Sequence, residues 1–125
     1  MHTDTRSHYQ TQAVQTASPA QLVLMLYDGA LAALTRARQA AATEAVHREL
    51  VKAQDIVSEL QVTLDVEQGG QIARSLAALY DFCQARLLEA NLSKQLDGLD
   101  DVTSVLADLR AAWEQACCAP VAASA

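Results

Sequence analysis

Aromatic residues are scarce in this 125-residue chain: one Trp, three Tyr and one Phe. Proline occurs twice and glycine four times, too few breakers for the many turns of an all-β fold. Cysteine occurs three times, at 83, 117 and 118. An odd count with two adjacent members is no disulfide framework, and it predicts reduced thiols in a reducing compartment. Basic residues are also in deficit, nine Lys and Arg against fifteen Asp and Glu. A net charge of −6 speaks against a nucleic-acid binder, which needs a basic face. No apolar run approaches the 18 residues of a membrane span, and MHTDTRSHYQ lacks the apolar core of a signal peptide. A cytoplasmic protein with no membrane insertion is expected.

What remains is alanine and leucine, 25 and 17 residues respectively. Both are strong helix formers. One domain of all-α class follows, since the length leaves little room for a second.

Residues 1–17 are polar and weakly patterned, with Tyr9 and Val14 among their few sizeable apolar side chains, and read as a flexible N-terminal arm. Ser18, Pro19 and Gln21 then form a capping box with proline at the first helical position. This predicts a first helix over 19–42. A second is expected over 44–66, stopped by Gly69-Gly70. A third covers 71–95 before the break at Asp97-Gly98, and a fourth covers 99–117 before Pro120. Residues 119–125 offer nothing to bury and read as a disordered tail. Apolar residues recur at steps of three and four: Val46, Leu50, Ala53, Val57, Leu60, Leu64; then Ile72, Leu76, Leu79, Tyr80, Cys83, Leu87, Ala90; then Val102, Leu106, Leu109, Trp113. One stripe per helix and short links predict an antiparallel four-helix bundle over 18–118.

The first helix has more apolar surface than a bundle needs. Leu22, Val23, Leu24, Met25, Leu26 and Tyr27 run consecutively, and six consecutive residues cover a helix on all sides. Something must cover its outer side: the arm, a second copy, or a partner helix laid in a groove. Phe82, Leu88 and Leu92 lie off the third helix's main stripe in the same way. Gly29, inside the first helix, predicts close approach of another backbone.

Catalytic chemistry has no foothold. Glu44 and His47 match one Glu-x-x-His pair, but a di-iron bundle needs two pairs and two further carboxylates. No phosphate loop and no nucleophile with an adjacent base is evident. No metal, no cofactor and no enzymatic activity are expected, and a binding protein is favoured by elimination. One alternative is a helical adaptor or dimerising bundle with no secretion role.

Four blocks carry a resemblance: TASPAQLVLMLYDGAL, LDVEQGGQIA, LAALYDFCQARLLEANL and LRAAWEQA. Together they are similar to the FliS family of flagellin chaperones, in the family's order, over about residues 14–116. The resemblance implies a four-helix bundle that binds the disordered C-terminal segment of flagellin. It also implies that premature polymerisation is blocked and that the subunit is delivered to a component of the flagellar type III export gate. The expected groove residues are Ile56, Leu60, Leu64, Leu76, Tyr80, Leu87 and Asn91. Asn91 is the polar exception on an apolar stripe and would bond either a guest backbone or the next helix. Tyr9 and Val14 would cap the groove as part of the arm. Two features depart from the family pattern. Arg6 stands where many relatives have an aromatic, and the link QAAATEAVH is short.

Overall fold

The computed structural model describes residues 17–118. The arm side chains Tyr9 and Val14 and the tail 119–125 lie outside the described residues. Four helices make up the fold: α1 Pro19–Gln39, α2 Thr43–Val62, α3 Val66–Ser93 and α4 Leu99–Cys117. Each packs on the next, and α4 returns to α1. Cross-links between distant residues fix the antiparallel course. Arg36 Nε, late in α1, donates to Glu49 early in α2 at 3.0 Å. Arg38, also late in α1, pairs with Asp100 at the start of α4 at 2.6 Å. Trp113, late in α4, reaches Ala20 in the first turn of α1.

α1 begins as its sequence requires. Ser18 accepts from the Gln21 backbone at 3.2 Å, and the Gln21 side chain accepts from the Ser18 backbone at 3.0 Å. Ala30, Ala33 and Ala37 of α1 and Ala53 of α2 are fully buried. Small side chains let these two helices approach closely, which strengthens dispersion contacts between the backbones. Around them close Leu34, Leu50, Val57, Leu60, Leu87, Leu99, Val102 and Leu106. Each such large aliphatic side chain contributes about 1.5–3 kcal/mol by leaving water. Gly29 meets the tip of Ile56, whose Cδ1 would sit 3.3 Å from an added Cβ. The close neighbour is therefore a side chain, not the backbone expected.

Four boundaries differ from expectation by two residues or more. α1 stops at Gln39, because Ala40 turns extended (ψ 135°) and begins the reversal into α2. α2 stops at Val62. The Thr63 hydroxyl donates to the Leu60 carbonyl at 2.6 Å, its backbone N–H donates to the Glu59 carbonyl, and that of Leu64 donates to the Gln61 carbonyl, each at 3.2 Å. α3 then starts before the glycine pair. Asp65 caps it by accepting from the Gln68 backbone at 3.0 Å. Gly70, with φ 61° and ψ −140°, kinks α3 without ending it. That conformation is open essentially to glycine alone. α3 ends at Ser93, with Lys94 in the left-handed region. α4 lies where its spacing places it.

Cys83 is buried and free. The Cys117 and Cys118 sulfurs lie within bonding distance of each other, so this adjacent pair can close into a disulfide where reduced thiols were expected. The helix ends there, and the non-helical backbone of Cys118 (φ −134°) lets two side chains that diverge in a helix turn together.

Candidate functional site

The core is closed at one end of the bundle and open at the other. At the closed end Ala37, Val46, Leu50, Leu87, Ala90, Leu99 and Val102 are buried. At the other end, where the termini of the described chain lie, large apolar side chains are only partly covered: Val23, Leu26, Leu64, Leu76, Leu109 and Trp113. Met25, Val62, Val66 and Ile72 there are exposed, Val62 and Ile72 at 76 %. The local sequence explains this. The kink at Gly70 separates the first turn of α3 from the rest, and Ala73 is the first buried residue of that helix. In α4 nothing is buried beyond Leu106, and the next residues of its stripe, Leu109 and Trp113, are only partly covered.

Two depressions mark the open end. The larger, about 780 Å³, runs over the first two turns of α1. Leu22, Val23, Met25 and Leu26 form its floor, with Glu59 and Thr63 of α2 on one side and Trp113 of α4 on the other. Trp113 is held in place by its Nε1, which donates to the Ala20 carbonyl at 2.8 Å. Arg110, one turn earlier, bridges Asp28 and Glu114. The smaller depression, about 410 Å³, lies at the α3 kink between Leu64, Gln68, Ile72 and Leu76. Thr63 borders both. Such a surface suits an apolar polypeptide face rather than bond-making chemistry. Among the described residues, no three His, Cys, Asp or Glu side chains gather as metal ligands. Glu44 and His47 are exposed on α2.

The expected groove residues are distributed differently. Leu64 and Leu76 line the kink depression. Ile56 is half-buried against α1. Leu60, Tyr80 and Leu87 belong to the core, with exposures of 0, 2 and 0 %. They share the main stripe of their helices, and the bundle itself takes that stripe. Asn91 is engaged internally: its Oδ1 lies 2.9 Å from His47 Nδ1 and its amide donates to Gln54 at 3.4 Å. Gln84 extends this polar seam between α2 and α3, donating to the Gln54 carbonyl and to Ser58, each at 3.0 Å. Gln61 continues it to Asp81 at 2.9 Å. The seam uses polar groups that an open groove would offer to a guest.

Leu22, Val23, Met25 and Leu26 were legible as surplus apolar surface. Glu59 and Thr63 were not, because nothing in their spacing sets them apart from a solvated helix face. Trp113 was legible only as part of the α4 stripe.

The family model for flagellar protein FliS matches residues 1–120. The chain belongs to the FliS family. It is 42 % identical over 107 residues to the flagellar secretion chaperone FliS of Salmonella typhimurium, covering 82 % of this chain and 79 % of that one. It is 38 % identical over 111 residues to the flagellar secretion chaperone FliS of Bacillus subtilis, covering 86 % and 82 %. A third relative, the flagellar secretion chaperone FliSB of Pseudomonas aeruginosa, is 36 % identical over 104 residues. The FliS fold here is an all-α bundle, and no helix among the described residues is long and apolar enough to cross a membrane.

Proposed function

We propose that this FliS-family protein is a cytoplasmic export chaperone for flagellin. It binds the disordered C-terminal segment of flagellin as that segment folds into helix. Binding keeps the subunit from polymerising early and assists its delivery to the flagellar type III export gate. The observation that carries this reading is the open apolar end of the bundle. Leu22, Val23, Met25 and Leu26 are laid out there beside Trp113 in a cleft about 780 Å³ in volume. An amphipathic helix fills such a trough with residues at i, i+3, i+4 and i+7. On this reading Leu64, Ile72 and Leu76 extend the guest path past Thr63 to the α3 kink.

Calorimetry with the C-terminal segment of the cognate flagellin tests the proposal. Coupled folding and binding should bury more than about 1,000 Å² and give a clearly negative heat-capacity change. Absence of binding, or binding with no heat-capacity change that vanishes at moderate salt, would overturn it.

A further inference from the structure

Among the described residues, one charged side chain lines the α1 cleft, and it is Glu59. Glu59 is exposed, and among the described residues no basic side chain pairs with it. Asp55, one turn earlier on α2, has the same sign. The last turn of α2 carries no basic residue, and neither does the last turn of α4, which ends at the same end of the bundle. Helix C-termini bear the negative end of the peptide dipoles, so both add to the field at Glu59. Arg110 of α4 is already engaged by Asp28 and Glu114.

A wholly apolar guest covering this cleft would strip water from an unpaired carboxylate, which is costly. A guest carrying a cation at that position gains a charge-assisted contact instead. We propose that Glu59 is a specificity-determining residue that pairs with a lysine or arginine on the bound segment. The inference rests on the flagellin reading above and adds to it the chemistry of one guest position.

The test uses the full chain, the synthetic C-terminal flagellin segment and the fluorescence of Trp113, the chain's single Trp. Glu59→Gln should weaken binding about threefold to tenfold and flatten its salt dependence, and Glu59→Lys should weaken it further. Asp55→Asn, a control for the general field, should change affinity less than about twofold. One Lys or Arg to Glu exchange in the segment should weaken binding to the native chain and restore binding to the Glu59→Lys variant. The inference is overturned if Glu59→Gln and Glu59→Lys bind as the native chain does. It is also overturned if Asp55→Asn weakens binding as much as Glu59→Gln, or if no exchange in the segment restores the Lys variant. Failure of the segment to bind the native chain overturns the flagellin reading itself, and this inference with it.

Discussion

The hydroxyls of Tyr27 and Tyr80 meet 2.5 Å apart across the centre of the bundle, joining α1 to α3. Both side chains are almost wholly buried, at 3 % and 2 % exposure. Neither hydroxyl has another partner among the described residues. Replacing one by phenylalanine leaves the other buried and unpaired, which costs about 1–3 kcal/mol, whereas replacing both removes the problem. Tyr27→Phe and Tyr80→Phe should each destabilise, and the double variant should lose clearly less than their sum. Urea unfolding of the four proteins measures the coupling, and additive losses would show that the bond contributes nothing.

The same region dictates behaviour at high pH. Burial pushes the Cys83 thiol up from its ordinary 9.0 to about 11, and burial raises both tyrosines as well. Below pH 9 the thiol is protonated whether the chain is folded or not, so its contribution is constant there. Above pH 9 the unfolded chain releases the proton while the native chain retains it. Stability is therefore lost as pH rises from about 9 towards 11. Chemical denaturation at pH 8, 9 and 10 should give falling midpoints. Cys83→Ala should lower stability at pH 8 through its cavity and reduce the slope above pH 9.

Much of this was legible in the sequence. The Ser18 cap and the α2 stripe from Val46 to Leu60 are local patterns, and the bundle realises both. The start of α3 was not legible. The Gly69-Gly70 pair is a strong stop signal, yet Asp65 three residues before Gln68 is an N-cap signal too, and tertiary packing lets both operate. The end of α1 was hidden because Ala40, Ala41 and Ala42 favour helix and only the reversal into α2 stops them. The burial of three groove candidates was not legible for a related reason. Spacing shows that Leu60, Tyr80 and Leu87 each share a face with other apolar residues. It does not show which apolar face the bundle keeps for itself. The surplus in LVLMLY was readable because six apolar residues in a row exceed any single stripe.

Gly70 should tolerate no side chain. No atom crowds its Cβ position, so space is not the obstacle; the obstacle is φ 61°. Gly70→Ala should destabilise by about 1–3 kcal/mol through backbone strain. In Gly29→Ala, better helix propensity worth up to about 1 kcal/mol opposes a contact of 3.3 Å with the flexible tip of Ile56. Thermal unfolding should show a marked loss for Gly70→Ala and a change under about 1 kcal/mol for Gly29→Ala.

Trp113 should act on the cleft through its indole N–H. Trp113→Phe keeps an aromatic ring but loses the bond to the Ala20 carbonyl, a net loss of about 0.5–1.5 kcal/mol. The first turn of α1 is then released from α4. Amide hydrogen exchange should accelerate near Ala20 to Val23 and stay unchanged around Leu50 and Leu87, and equal acceleration in both regions would point to global loosening instead.

Exposed apolar residues in different parts of the molecule should separate guest binding from general stickiness. Met25 is 37 % exposed on the cleft floor, Ile72 is 76 % exposed at the kink, and Leu92 is 78 % exposed on the last turn of α3. All three can accept a charge with little effect on folding, because none is part of the closed core. Aspartate at position 25 sets a carboxylate among Leu22, Val23 and Leu26, beside the unpaired Glu59, and a guest covering it must strip its water. Met25→Asp should therefore weaken binding of the flagellin segment by tenfold or more, since about 1.4 kcal/mol is enough for a factor of ten. Ile72→Asp should weaken it less, in keeping with the smaller depression. Leu92→Asp should leave affinity unchanged while reducing nonspecific adhesion to apolar resins. If Leu92→Asp abolishes binding and Met25→Asp does not, the guest lies on the outer face of α3 and not over α1.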